Sequence, residues 1–243
     1  MIKIAVLTTV WQRPILTSFH FHWMEQFRFD CKRLDLKIIP FYVLSENDPH
    51  LKLFKSQLKT YGHQHTVVPK QRLSDKSNAG LQELRDKISF DWLMHLDSDE
   101  LLSMELMKQW KKQFEFETLW FGSKACYFVD IENGSAWEFK GYGKAHPVKN
   151  GGTCLHNHIL EITDYKLWPE SRSTGLNIME RNWVSQFGFN LASLDTQDYY
   201  GVLELKGGST SIHDIKWFQE RDMLIPQNLD VIVEHYSQIR VLI

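Results

Sequence analysis

Residues 92 to 100 read Trp-Leu-Met-His-Leu-Asp-Ser-Asp-Glu. The apolar and aromatic start of this stretch suits a buried strand. Asp97 and Asp99 follow where that strand would run out. In an open α/β sheet, ligands bind just outside the carboxyl ends of the strands. Two carboxylates one residue apart at such a place offer oxygen ligands to a hard divalent cation. Mg²⁺ is commonly held by one or two carboxylates together with the phosphates of a substrate. A metal–diphosphate site is therefore the chemistry this stretch suggests. The plainer reading is a solvated acidic turn that caps the next helix.

Spacing removes two other uses of the same residues. An EF-hand loop starting at Asp97 needs an oxygen ligand at its fifth position and glycine at its sixth. Leu101 and Leu102 stand there. A haloacid-dehalogenase-type phosphatase carries its acidic pair after the first strand, whereas here the pair follows the fourth.

The elements that must position this pair come from the preceding hundred residues. Ile2 to Val10 is a short apolar strand ending in Thr8 and Thr9. Ile15 to Arg28 carries Leu16, Phe19, Trp23 and Phe27 at helical spacing. Lys37 to Leu44 is a second strand, and Leu51, Phe54, Leu58 and Tyr61 mark a second helix. His65 to Val68, Ser77 to Ile88 and Phe90 to Leu96 complete the alternation as strand, helix and strand. Strands alternating with helices of this length imply βαβ units and a parallel sheet. After residue 117 the pattern changes. Cys126 to Ile131 and Ala136 to Phe139 flank Glu-Asn-Gly-Ser, and Asn-Gly is a strong hairpin signal. Asn150-Gly151-Gly152 offers another turn before a strand expected over Leu155 to Ile162. On that strand His156 and His158 would share one face, a conceivable Zn²⁺ pair that lacks further ligands. One domain is expected over residues 1 to 243, with a nucleotide-binding half at 1 to 117 and an acceptor-binding half at 118 to 243.

Composition narrows the partners. A chain of 243 residues can bury a sizeable core without staples. Hydrophobic residues at 43% and charged residues at 24% are ordinary for a globular protein. The formal net charge of −2, with no run of Lys or Arg, lacks the basic footprint of a nucleic-acid binder. Three cysteines without CxxC spacing suit free thiols in a reducing compartment, so a cytoplasmic location is expected. The first apolar run is too short for a signal peptide. No 18-residue apolar stretch exists, so no membrane span is expected.

Read in this order, the motifs resemble those of nucleotide-sugar glycosyltransferases of the GT-A fold, in the broad family 2-like group. Thr8-Thr9-Val10-Trp11-Gln12-Arg13-Pro14 is similar to that family's first strand and the Arg-Pro after it. Glu46 or Asp48 matches its acidic residue after the second strand, which faces the uracil base. Lys76-Ser77-Asn78-Ala79-Gly80-Leu81 is similar to its Asn-x-Gly-Leu segment, and Leu96-Asp97-Ser98-Asp99-Glu100 to its acidic motif. The resemblance covers about residues 1 to 105. It implies a Rossmann-like, mostly parallel sheet flanked by helices, with an antiparallel, loop-rich C-terminal half. It also implies a UDP-sugar donor contacted by Thr8, Thr9, Arg13, Glu46, Lys76, Asn78 and Asp97. Mn²⁺ or Mg²⁺ would be held by Asp97, Asp99 or both, with His213 joining them from a late His-Asp-Ile-Lys-Trp segment. His235 is the rival histidine. For a base that accepts the acceptor hydroxyl's proton, Glu180 is ranked before Asp130, Glu132 and Asp214, while Asp99 acts through the metal.

The family's Glu-Asp doublet and Gln-x-x-Arg-Trp segment are absent. That argues against processive polysaccharide synthesis and leaves inverting and retaining chemistry both open. The acceptor is expected to be a glycan or a lipid-linked sugar, bound by Trp137, Tyr142, Trp168 and Trp183, whose rings suit sugar faces. Alternatives are a non-catalytic nucleotide-sugar-binding module and a glycosyltransferase acting on nucleic acid, for which Lys140, Lys144 and Lys149 are the strongest hint. A sugar nucleotidyltransferase is expected to cradle triphosphate in a glycine-rich loop, and residues 8 to 14 contain no glycine, so that reading is rejected on sequence.

Overall fold

The computed structural model describes residues 1–69, 71–115, 118–141, 152–195, 198, 200–207 and 215–243. The first half alternates as expected: β1 (Ile2–Thr9), α1 (Pro14–Lys32), β2 (Leu36–Ser45), α2 (Leu51–Tyr61), β3 (Gln64–Val68), α3 (Leu73–Lys87) and β4 (Trp92–His95). Then come β5 (Glu100–Leu102), α4 (Met104–Glu115), β6 (Trp120–Ser123), β7 (Cys126–Asp130), β8 (Ser135–Phe139), β9 (Thr153–His156) and α5 (Asn157–Ile162). The chain closes with α6 (Leu176–Ser185), β10 (Ala192–Leu194), β11 (Val202–Lys206), α7 (Ile215–Gln219), β12 (Leu224–Gln227), α8 (Leu229–His235) and a 3-10 turn over Ser237–Val241.

Two sheets result. The larger runs β10-β6-β9-β4-β1-β2-β3, with β1 parallel to both β2 and β4, and β9 antiparallel to β4 and β6. The central strands are apolar on both faces because helices cover both, as in other parallel sheets. Ile4, Val6 and Met94 pack against Trp23, Met24 and Phe27 of α1 and Trp110 of α4. Ala5, Leu7 and Leu93 pack against Leu81 and Leu84 of α3 and Met179 of α6. Helix α3 comes unusually close to the sheet at Gly80. A Cβ there would lie 2.3 Å from Val43 Cγ2.

The smaller sheet runs β12-β8-β7-β11-β5. Its β7–β8 hairpin forms where Asn-Gly signalled it. Gly134 takes φ 59°, and Asp130 Oδ1 accepts the Glu132 N–H at 2.9 Å to close the turn. The chain passes from the larger sheet to the smaller between β4 and β5, so residues 96 to 99 form the crossing.

Two expectations are corrected. Helix α3 begins at Leu73, four residues before the expected Ser77, which places Lys76 inside the helix. The strand expected over Leu155 to Ile162 exists only as far as His156, and Asn157–Ile162 is helical. The reason is a local cap, in which His156 Nδ1 accepts the His158 N–H at 3.2 Å. His156 and His158 therefore share no strand face. All three cysteines are free and buried. Among the described residues, no helix is long and apolar enough to cross a membrane.

Candidate active site

Strands β2 and β3 lie on one side of β1, and β4 lies on the other. The winding direction of the sheet therefore reverses between β1 and β4, the place where open α/β sheets take their ligands. Arg13 leaves the end of β1 there, and Asp97 and Asp99 leave the end of β4.

Arg13 reaches the site through an unusual turn. Gln12 and Arg13 both adopt left-handed φ values, 57° and 50°. Such conformations cost a non-glycine residue of order 1–3 kcal/mol and persist only when surrounding structure enforces them. Buried Asp48 supplies that enforcement. Its carboxylate accepts the Gln12 N–H at 2.7 Å and the His50 N–H at 2.8 Å. The turn brings Arg13 Nη1 to 2.5 Å from Asp99 Oδ2. Burial opposes the guanidinium's charge, but Asp99, and after it Asp97 and Glu204, outweigh burial and raise the Arg13 pKa. One oxygen of Asp99 is thus committed to Arg13.

Three further carboxylates, Asp97, Glu100 and Glu204, converge around this pair. Glu100 accepts the Asp97 N–H at 2.8 Å. Glu100 on β5 lies directly opposite Glu204 on antiparallel β11, and the Leu205 N–H holds the Asp99 carbonyl at 2.7 Å. Like charges opposite one another on a sheet repel. Burial first, then Asp97, Glu204 and Asp99, lift Glu100 well above the usual carboxylate range. Glu204 is also raised, by burial first, with Lys206 opposing. Lys206 pairs with Glu204 and lies over the Phe128 ring at 4.8 Å and the Phe218 ring at 5.2 Å. Asp97 is raised to about 6 by burial and then by Asp99, with Arg13 and Lys206 opposing. Its side chain keeps 46% of its area open to solvent, which tempers that shift.

The charge count bears on a cation. Four carboxyl groups, Asp97, Asp99, Glu100 and Glu204, share the site with only two cationic side chains, Arg13 and Lys206. Their mutual repulsion favours uptake of positive charge, as protons on the buried Glu100 and Glu204 or as a cation at the more open Asp97. Among the described residues, no three His, Cys, Asp or Glu are grouped so as to hold a metal by themselves. A cation here would need phosphate oxygens or water to complete its shell, as Mg²⁺ commonly does. Asp97, the carboxylate most open to the cleft, is the residue fitted to meet it.

His95, the last residue of β4, is buried beside Asp97, and its Nε2 lies 4.0 Å from Asp97 Oδ1. Burial lowers its pKa to about 4, so the ring is neutral near pH 7. Trp168 packs on it with ring centroids 5.1 Å apart.

The structure gathers some of the residues anticipated from sequence and disperses others. Thr8 and Thr9 are buried at the carboxyl end of β1, and Thr8 Oγ1 finds no hydrogen-bond partner among the described residues. Glu46 is exposed beyond β2, its N–H held by the Val68 carbonyl at 2.9 Å. Lys76 is buried, and its Nζ donates to the Val10 carbonyl rather than projecting into the cleft. Burial lowers it to about 8, with the Asp48 charge opposing. Asn78 serves as a clamp. It donates to the Trp168 carbonyl at 2.6 Å and accepts the N–H groups of Leu167 at 3.2 Å and Trp168 at 3.3 Å.

Glu180 on α6 is buried on the α3 side of the larger sheet. Burial raises it to about 8, and Trp120 opposes the shift. The charges that shift Asp97, Glu100 and Glu204 are one another, Asp99, Arg13 and Lys206, so Glu180 is not part of that cluster. His235 lies 3.7 Å from Glu105 and stacks on Tyr200 at 4.1 Å. Of the aromatics expected at an acceptor, Trp168 is fully buried, and the Trp183 Nε1–H donates to the Lys166 carbonyl at 2.7 Å. Lys140 pairs with Asp222 at 2.9 Å. His213, Asp214, Tyr142, Lys144 and Lys149 lie outside the described residues.

Sequence reasoning missed His95, Glu204 and Lys206. His95 lay inside the quoted motif, but nothing local marks it as buried beside Asp97. Glu204 and Lys206 alternate with apolar residues as they would on any half-exposed strand.

No family model and no curated protein matches the sequence. Solved structures do share its fold. The TarS fragment 1–349 of S. aureus superposes with a TM-score of 0.57 at 10% identity over 84% of this chain. The match covers 60% of that fragment. The 4-diphosphocytidyl-2C-methyl-D-erythritol synthase of Anaerococcus prevotii DSM 20548 superposes with a TM-score of 0.51 at 12% identity, over 82% of this chain and 91% of that one. At these identities the likeness establishes a shared GT-A-like architecture.

Proposed function

We propose that this chain is a metal-assisted glycosyltransferase that moves a sugar from a nucleoside-diphosphate sugar, a UDP-sugar first, to a glycan or lipid-linked acceptor. The observation that carries the reading is the carboxylate surplus at the β1–β4 switch point, with Arg13 bound to Asp99 and Asp97 open to the cleft. The GT-A-like fold shared with the TarS fragment supports it. Asp97 and the second oxygen of Asp99 would hold Mn²⁺ or Mg²⁺, which when bound supplies positive charge to the departing diphosphate. Arg13 pairs with one oxygen of Asp99 and fixes its direction. The carboxyl end of β1, with Thr8 and Thr9, and the exposed Glu46 form the side of the cleft toward the base. Lys76 acts from behind by holding the Val10 carbonyl, and so the start of the turn that carries Arg13.

A second reading has a specific observation behind it. The likeness to the 4-diphosphocytidyl-2C-methyl-D-erythritol synthase spans 91% of that chain. The left-handed Gln12–Arg13 turn also supplies without glycine a bend that glycine usually provides. On that reading the substrate is a nucleoside triphosphate and the product pyrophosphate.

One experiment separates the two. The protein is incubated with a panel of UDP-, GDP- and CDP-sugars and with CTP and UTP, with and without Mn²⁺. Metal-dependent sugar release from a nucleotide sugar, lost in Asp97→Ala and Asp99→Ala variants whose circular dichroism is unchanged, supports the glycosyltransferase. Near-normal release in both variants refutes the metal site. Pyrophosphate release from CTP or UTP with a sugar phosphate favours the second reading.

A further inference from the structure

We propose that His95 is a positioning residue for the Asp97 carboxylate. Its Nε2, carrying the ring proton, closes into a hydrogen bond with Asp97 Oδ1 when Asp97 takes up a cation and diphosphate. The inference rests on the donor-site reading above and adds to it a residue that orients the metal-facing group.

Three observations support it. First, His95 is only 8% exposed, and its Nε2 is buried with no hydrogen-bond partner among the described residues. Leaving a buried polar group unmet is costly, and native structures rarely keep one without a use. Second, that nitrogen lies 4.0 Å from Asp97 Oδ1. N–H···O bonds span about 2.7–3.2 Å, so closure requires a movement of about 1 Å. Third, the two partners differ in freedom. The His95 backbone is held in β4 between Leu7 and Thr153, its carbonyl accepts the Gly152 N–H at 2.9 Å, and its ring packs on Trp168. The Asp97 side chain keeps 46% of its area open. The carboxylate is therefore the part that moves, and the imidazole is the fixed post. Hydrogen bonds at reacting sites are often long before the ligand arrives and tighten in the complex. Carboxylates that ligate metals are themselves hydrogen-bonded, and removing such a partner typically lowers metal affinity about 10- to 100-fold.

The test compares His95→Phe, which keeps a packed ring without a donor, with His95→Gln, which keeps an N–H donor. The affinity of each for UDP with Mn²⁺ is measured by calorimetry, beside its unfolding temperature without ligand. The expected result is a 10- to 100-fold weaker affinity for His95→Phe and substantial recovery in His95→Gln. In the unmutated protein loaded with Mg²⁺ and UDP, ¹⁵N NMR should show the His95 proton on Nε2. Unchanged affinity in His95→Phe, or a proton on Nδ1 in the loaded protein, overturns the proposal. Absence of metal-dependent UDP binding in the unmutated protein overturns the donor-site reading, and this inference with it.

Discussion

Gly80 separates two opposing effects of known size. Replacing it with alanine in the middle of α3 should add about 1 kcal/mol of stability through helix propensity alone. The new Cβ, however, would lie 2.3 Å from Val43 Cγ2 and 3.1 Å from Leu7 Cδ1. Relief would have to come from Val43. That residue is fully buried on β2, its backbone is paired to Thr9 on one side and Thr66 on the other, and its χ1 is stiff because the side chain is β-branched. Overpacking of this kind costs about 1–3 kcal/mol. At 2.3 Å the clash belongs in the upper part of that range, about 2–3 kcal/mol, so the steric term should win with a net loss of about 1–2 kcal/mol. For a chain of this size each kcal/mol moves the unfolding midpoint by about 2–4 °C. Removing the obstructing methyls should reverse the sign. In a Val43→Ala background, Gly80→Ala should stabilise by up to about 1 kcal/mol. Urea titrations of the four proteins with a shared m-value measure the cycle. A Gly80→Ala protein as stable as its parent, or the same sign in both backgrounds, would refute the reasoning that α3 is docked by this contact.

Further outcomes follow from the same geometry. Asn78→Ala strips two N–H groups and one carbonyl of the 167–168 segment of their partner and should cost about 2–4 kcal/mol at roughly 1 kcal/mol per bond; denaturant unfolding reads the loss. Glu180, raised to about 8 in the folded protein from an ordinary value of 4.5, binds its proton more tightly folded than unfolded. Its contribution to stability is present below pH 4.5 and is lost as pH rises toward 8. Glu180→Gln should therefore match the parent near pH 4.5 and gain relative to it steadily up to pH 8, and parallel thermal melts across that range check this. Lys206→Met leaves Glu204 buried without its cation and should destabilise by about 3–5 kcal/mol, the usual loss when a buried pair loses one member. Lys206→Met combined with Glu204→Leu should recover most of that loss.

Much of the fold was legible because it rests on local patterns. The apolar run of residues 2 to 9 and the spacing of Trp23 and Phe27 gave β1 and α1 within a few residues of their observed bounds. Asp97 and Asp99 stood out because an apolar run ended in acid. What escaped notice depends on long-range contact or on unusual capping. The start of α5 was hidden because its cap is an imidazole, outside the Ser, Thr, Asp and Asn that usually mark a helix start. Arg13 was visible as a residue, but its partner Asp99 lies 86 positions away. Glu204 and Lys206 read as an exposed face until Phe128 and Phe218 cover it. Asn78 shows the converse. Its place in a recognisable segment suggested ligand contact, and its side chain is engaged instead in fastening residues 167 and 168.

The central claim is that the carboxylates at the end of β4 receive a divalent cation carrying a nucleoside diphosphate. Isothermal calorimetry of UDP binding, with and without Mn²⁺, to the parent protein and to Asp97→Asn tests it most directly. The claim predicts UDP binding that requires Mn²⁺ in the parent and is lost in Asp97→Asn. UDP affinity that is indifferent to Mn²⁺, or unchanged by Asp97→Asn, would contradict it.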